Sequence, residues 1–325
     1  MTTLTVRVLR KTREALDIAS FELAAEDGRA LPAFGAGSHV DVQLPGDLAA
    51  PGGLTRQYSL CNDPQETHRY LIAVLRDPAS RGGSAAMHDT VVEGQLLQIS
   101  PPKNHFALAH AAQRSLLLAG GIGITPLLCM AERLAQLGAD FELHYCTRSR
   151  ERTAFAARIE AAAFAHRVHG HLDDGADPQK LDLPQLLGAP RDGEHVYVCG
   201  PKGFMDAVLG TARAAGWPEA QLHFDFFGAT AVPTGGDAAF EVQLASSGRV
   251  VAVTAGQTVV QALAEAGVEV MTSCGQGVCG TCLTRVLAGE PLHRDLYLTP
   301  EEQTANDQFL PCCSRARSAR LVLDL

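Results

Sequence analysis

The feature that most limits what this chain can fold into is a run of cysteines near its end. Cys274-Gly-Gln-Gly-Val-Cys279-Gly-Thr-Cys282 is a C-x4-C-x2-C loop, and Cys312 follows well downstream. This is the plant-type spacing for a [2Fe–2S] cluster. Four thiolates must reach two irons from one tight loop and one distant segment. Gly275, Gly277 and Gly280 let the loop turn and aim backbone N–H groups at the sulfurs, which tunes the potential. A structural zinc site usually draws its ligands as two close pairs, whereas here the fourth ligand stands alone. The adjacent Cys312-Cys313 raises a choice: neighbours in a strand face opposite sides, so only one can be a ligand, and periodicity leaves open which.

Ahead of that loop the pattern changes twice. Residues 1–110 carry short alternating segments at Leu4 to Leu9, His39 to Leu44, Tyr70 to Leu75 and Leu96 to Ile99, punctuated by Gly, Pro and Asp. Such spacing predicts a small antiparallel barrel or sandwich. Residues 111–228 alternate strand and helix: Ser115 to Ala119, then a helix over Thr125 to Leu137, Phe141 to Cys146, a helical stretch over Thr153 to Phe164, His195 to Cys199, and a helix over Lys202 to Ala215. That order predicts a parallel sheet with crossover helices. Residues 229–238 are small, with Pro and Gly, and read as a linker. Residues 239–325 then hold a hairpin (Phe240 to Leu244, Val250 to Val253), a helix over Thr258 to Ala266, the cysteine loop and a final strand at Leu321 to Leu323.

Composition removes several function classes. The formal net charge is −9, which disfavours binding to a phosphate backbone or an anionic membrane surface. No apolar run approaches the roughly 20 residues of a membrane span. The first residues alternate like a strand and show no signal-peptide pattern, so a cytoplasmic protein is expected. Nine cysteines, an odd number in 325 residues, are too few for a disulfide scaffold.

The C-terminal block resembles the plant-type ferredoxin domain of the phthalate dioxygenase reductase family. The resemblance runs through the cysteine loop, Gly289-Glu290-Pro291-Leu292-His293-Arg294-Asp295, Leu310-Pro311-Cys312-Cys313 and Ser314-Arg315-Ala316 to the end. It implies a C-terminal β-grasp fold with Cys274, Cys279, Cys282 and Cys312 as the iron ligands.

The likeness extends to the other blocks. Arg56-Gln57-Tyr58-Ser59 matches the R-x-Y-S motif of the ferredoxin-reductase-type flavin barrel. An Arg can grip a phosphate bidentately, a Tyr ring can lie against an isoalloxazine, and a Ser hydroxyl can bond its edge. Arg81-Gly82-Gly83-Ser84 precedes a helical segment, and a Gly-rich turn at a helix start suits an anion. The resemblance implies FMN there, with its phosphate between Arg56 and Gly82, Gly83 and Ser84, and with Ala73 and Val74 lining the flavin. Gly120-Gly121-Ile122-Gly123-Ile124-Thr125-Pro126 closes a strand and opens a helix, the geometry that lets a backbone approach a pyrophosphate. It is not the G-x-G-x-x-G fingerprint, and taken alone it is a tight turn of any α/β sheet. The family places it at the pyridine nucleotide, with Cys199-Gly200-Pro201 and Thr125 at the nicotinamide and flavin, and an aromatic such as Phe227 by the ring.

The implied activity is an electron relay. NADH yields a hydride, a [2Fe–2S] cluster takes single electrons, and a flavin converts one into the other. The relay needs no side-chain acid or base, so no catalytic side chain is named, and His39, His88 and His105 are read as structural or exposed. The acceptor implied is a Rieske-type oxygenase on a separate chain acting on a small substrate, aromatic compounds included. An acidic balance suits docking to a basic patch. Arg148 and Arg150, just after the second strand of the α/β block, would welcome a 2′-phosphate, whereas the family favours NADH. The competing readings are an NADPH-dependent flavin reductase with another one-electron acceptor, a nitric-oxide-type dioxygenase without its globin, and a non-catalytic nucleotide-binding protein clipped by zinc.

Overall fold

The computed structural model describes residues 3–44, 54–78, 82–227, 237–272, 275, 277, 280–295 and 297–325. They fall into two compact units, Met1–Phe227 and Gly228–Leu325. Cys274, Cys279, Arg81 and most of the expected linker lie outside the described residues.

The first unit opens with six strands: β1 (Leu4–Ala15), β2 (Ile18–Ala25), β3 (His39–Leu44), β4 (Leu54–Ser59), β5 (Tyr70–Leu75) and β6 (Leu96–Ile99). All neighbours are antiparallel, in the order β4-β3-β6-β1-β2-β5. A bridge from Leu60 to Ile72 joins the two edges and closes the barrel. Alternation sets its inside, where Val6, Val8, Phe21, Leu23, Val40, Val42, Ile72 and Ile99 are buried together. Helix α1 (Gly83–Asp89) seats Met87 in that core.

The parallel sheet follows, with β7 (Arg114–Gly120), β8 (Asp140–Thr147), β9 (Val168–Leu172), β10 (Glu194–Cys199) and β11 (Leu222–Asp225) in the order β11-β10-β7-β8-β9. Its helices are α2 (Ile124–Gln136), α3 (Ala156–Ala161), α4 (Leu183–Leu186) and α5 (Lys202–Ala214). Central β7 is covered on both faces, which explains its unbroken apolar run. Leu117 and Ala119 join α2 and the barrel residues Ala36, Cys61, Ala73 and Phe106 in one core. Leu116 and Leu118 face α5 and Trp217. The change of pattern near residue 110 therefore marks a change of sheet within a shared core.

The second unit contains β12 (Phe240–Leu244), β13 (Val250–Val253), α6 (Val259–Glu265), β14 (Thr284–Ala288), β15 (Pro291–Leu292), α7 (Pro300–Ala305), β16 (Gln308–Phe309), β17 (Arg315–Ala316) and β18 (Arg320–Leu323). The sheet runs β13-β12-β18-β14-β16, with β12 and β18 parallel and α6 packed on its core, a β-grasp arrangement. Thr258 and Gln261 form a capping box that starts α6.

Three expectations need correction. The helical stretch over Thr153 to Phe164 shrinks to α3, because Phe155 turns left-handed (φ 60°) to bury its ring. Cys312 and Cys313 lie in a turn, with the Ser314 N–H bonded to the Leu310 carbonyl, so strand alternation does not choose between them. Asp237, assigned to the linker, is anchored: it pairs with Arg294 and lies 3.4 Å from Arg315.

Candidate functional site

The parallel sheet reverses its order between β7 and β10, and the crevice beyond the carboxyl ends of such strands is where α/β sheets bind ligands. The Gly120–Gly123 turn and Cys199-Gly200-Pro201 meet there, backbone to backbone. A β-carbon on Gly123 would overlap the Cys199 carbonyl and come 2.7 Å from the Gly200 nitrogen. Gly121 takes φ 53° with open space about it, so that turn needs glycine for its conformation. Thr125 is buried and its hydroxyl donates to the Ile122 carbonyl at 3.1 Å, which ties the turn to α2. Burial, with Asp225 adding, pushes the Cys199 thiol well above its ordinary pKa, so it stays a neutral thiol. Arg148 is exposed just past the end of β8, on the same edge. Phe204, which sequence reasoning missed, lies 2.8–3.1 Å from the β-carbon positions Gly120 and Gly200 lack. Only the fold could reveal it, since nothing marks it within α5.

The flavin motif is on β4. Arg56 lies across Gly83, the first residue of α1; a β-carbon there would sit 2.6 Å from its Nε. Arg56 and the Gly82-Gly83-Ser84 turn are thus brought together, as a phosphate cradle requires. The Ser84 hydroxyl accepts from the Asp77 N–H at 3.1 Å. Gln57 donates to Asp41 at 3.0 Å, and Asp41 pairs with Lys103 at 2.6 Å. Burial raises the Tyr58 hydroxyl's pKa against the opposing pull of Arg56, so its ring stays neutral beside the cradle. Ser59, Ala73 and Val74 are buried. His88, read as structural or exposed, lies with its Nε2 2.9 Å from the Val74 carbonyl and fastens α1 to β5. Phe227 is 37% exposed at the end of its unit. The bare glycine under Arg56 is a fit for a flavin phosphate.

In the second unit Cys282, Cys312 and Cys313 share a buried apolar cluster with Leu298 and Leu310. Thiols in such a shell fit an iron–sulfur centre. The Cys313 Sγ lies 3.7 Å from the Leu310 carbonyl and from the Ser314 hydroxyl. It also fills the space a side chain on Gly277 would need. Asp295, which lies within the stretch that carries the resemblance, is a residue that sequence reasoning gave no role of its own. Its side chain is buried and accepts from the Leu298 N–H at 2.9 Å and the Ser314 hydroxyl at 3.2 Å. It stitches Ser314, just after Cys312, to Leu298.

Comparison with known proteins agrees with this layout. Residues 242–317 match the model of a 2Fe-2S iron-sulfur cluster binding domain, and residues 117–209 that of an oxidoreductase NAD-binding domain. Vanillate O-demethylase oxidoreductase of Pseudomonas putida is 56% identical over 98% of both chains. Phthalate dioxygenase reductase of Burkholderia cepacia is 40% identical over 99% of this chain and 97% of its own. A solved phthalate dioxygenase reductase, described as a modular structure for electron transfer from pyridine nucleotides to [2Fe–2S], superposes with a TM-score of 0.76 at 40% identity, over 99% of this chain and 98% of that one.

The chain belongs to the phthalate dioxygenase reductase family.

Its first unit is therefore the flavin barrel and nucleotide-binding sheet of that family, and its second the [2Fe–2S] domain. As a member it is an oxidoreductase that carries electrons from pyridine nucleotide through flavin to a [2Fe–2S] cluster, and the family's flavin and nucleotide are FMN and NADH. The same layout covers 41% of a type IV self-sufficient cytochrome P450 monooxygenase (TM-score 0.82, 39% identity, over 99% of this chain). Among the described residues no helix is long and apolar enough to cross a membrane.

Proposed function

We propose that this chain is the NADH-fed reductase of a separate Rieske-type oxygenase that demethylates a methoxylated aromatic acid of the vanillate kind. What carries this reading is the likeness to a vanillate O-demethylase oxidoreductase, which spans 98% of each chain. FMN when bound supplies the conversion of hydride transfer into single-electron steps, and the cluster a one-electron outlet near about −400 mV.

The chain's own residues bind, align and insulate. Arg56 with Gly82, Gly83 and Ser84 holds the FMN phosphate. Tyr58 flanks the isoalloxazine, with Gln57, Ser59, Ala73 and Val74 along its edge and Phe227 by its ring. Gly120, Gly121 and Gly123 admit the pyrophosphate. Thr125, Cys199, Gly200 and Pro201 shape the nicotinamide pocket, and Arg148 meets the adenosine end. Cys274, Cys279, Cys282 and Cys312 ligate the cluster. The modules on this reading are residues 1–110, 111–228 and 239–325, the last two joined by the stretch that runs from 229 to the anchored Asp237, and the compartment is the cytoplasm, where NADH is supplied. The packed cradle of Arg56 on Gly83 and the crevice between β7 and β10 support these assignments.

The test is reconstitution. The purified protein is mixed with a vanillate-demethylating oxygenase, NADH and vanillate, and formaldehyde release is measured. Turnover coupled to NADH consumption is expected. Uncoupled NADH oxidation, with brisk turnover on a phthalate-hydroxylating oxygenase instead, would reassign the partner.

A further inference from the structure

We propose that one edge of the parallel sheet carries a second metal site, built from Glu142, His144 and His169 and suited to zinc(II) or a neighbouring late first-row ion. Glu142 and His144 are two residues apart on β8 and so share a face. His169 on β9 is the register partner of His144. One ligand atom from each of the three lies within 4.8 Å of the others.

The decisive atom is His144 Nε2. His144 is only 7% exposed, and this nitrogen is shut away from solvent without a hydrogen-bond partner. Glu142 Oε2 stands 3.5 Å away, beyond the usual range of an N–H···O bond. It is close to the separation of two ligands on one tetrahedral ion, about 3.3 Å for bonds of about 2.0–2.1 Å. The other ring nitrogen is occupied, with His144 Nδ1 3.0 Å from His171 Nε2. Ligating histidines are characteristically held in this way, one nitrogen fixed by a neighbour and the other turned to the metal. His169 lies against the ring of His144 at a centroid distance of 4.8 Å. It is exposed, so it can turn out of that stack to bring its nitrogen to the ion.

Local charge does not oppose a cation. Arg114 contacts Asp140, Glu142 and Glu194, and Arg167 contacts Asp140, which sets three carboxylates against two guanidiniums. Arg114 takes Glu142 Oε1 at 2.9 Å and leaves Oε2 directed at the histidine. Imidazole and carboxylate donors favour zinc, copper(II) or nickel over magnesium or calcium.

The experiment is calorimetric titration of the protein, loaded with FMN and cluster, with zinc chloride. One zinc per chain is expected, and Glu142→Gln and His169→Ala should each weaken binding about tenfold or more. Both variants should keep the zinc-free NADH–ferricyanide rate, since neither residue touches the nucleotide, flavin or cluster sites described above. His169 is exposed, so its loss should leave the fold intact, and a circular-dichroism melt of each variant checks this. No zinc uptake by the loaded wild type, or wild-type affinity in both variants, would overturn the site.

Discussion

Gly123→Ala asks whether the nucleotide crevice depends on two turns touching through bare backbone. Gly123 has φ −61° and ψ −7°, values open to any residue, so the replacement carries no conformational strain. Its cost is steric. The new methyl would overlap the Cys199 carbonyl and sit 2.7 Å from the Gly200 nitrogen. These are main-chain atoms at the end of a central strand and cannot rotate aside. Restoring ordinary contact requires the turns to part by roughly 1 Å. Overpacking of this kind costs about 1–3 kcal/mol, or several degrees of Tm for a domain of this size. A shift of about 1 Å in positioning groups costs on the order of 100-fold in rate. The assay is NADH-driven ferricyanide reduction, which reads hydride transfer to the flavin without needing the cluster, alongside FMN content and a thermal melt. The expected result is a rate down about 100-fold with FMN retained. Gly121→Ala differs in its physical cause: with φ 53° and open space about it, it should cost about 1–2 kcal/mol of stability through backbone strain, with no steric overlap. A Gly123→Ala enzyme within a few-fold of wild type and with an unchanged melt would mean that the crevice does not depend on this backbone contact.

Other perturbations address the remaining modules. Arg56→Ala removes a charge-assisted contact worth about 1.5–3 kcal/mol, so FMN should dissociate roughly 10- to 100-fold more readily, read by fluorescence of released flavin; unchanged retention would place the phosphate elsewhere. Cys312→Ser should lose iron, whereas Cys313→Ser should keep it, because the Cys313 thiol is taken up by Leu310, Ser314 and the Gly277 turn; iron analysis showing the reverse would exchange their roles. His223 is pushed down to about 4, by burial first and by His195 next, and its Nε2 lies 2.8 Å from His195 Nδ1. A folded-state value below the ordinary 6.5 means the unfolded chain takes up the proton first, so this contribution to stability holds above about pH 6.5 and drains away toward pH 4. Tm should fall across that window, and less steeply in His223→Gln; an unchanged slope in the variant would rule the pair out as its source.

Much of the fold was legible because the alternation and the strand–helix order are strong local signals. The hairpin of β12 and β13, the strands β3, β5 and β6, and the helices α2, α5 and α6 lie where periodicity and turn residues put them, to within a residue. What escaped did so for physical reasons. Strand β2 is buried along most of its length, so no alternation marks it. Strand β9, Val-His-Gly-His-Leu, is a polar edge strand held by register rather than by apolar pattern. Ala-rich residues 153–164 have helix propensity, but the burial of Phe155 overrides it. The motifs of the site were readable as short strings, because each needs a particular residue at a particular turn. Local pattern alone did not bring them together: the meetings of Arg56 with Gly82 to Ser84 and of the Gly120 turn with Cys199 were implied by the resemblance, whereas Phe204 against Gly120 was not, because it is the crossover topology that joins positions so far apart in the chain.

Paired electrons enter this chain at one unit and leave singly from the other. An anaerobic titration of the purified protein with NADH, followed by visible absorption and electron paramagnetic resonance with flavin and iron counted per chain, tests it most directly. Uptake of about three electrons per chain is expected, two on flavin and one on the cluster, with a paramagnetic iron–sulfur signal growing as the flavin bleaches. Flavin that bleaches while the iron–sulfur signal never develops, or protein prepared without air that holds no iron, would contradict it.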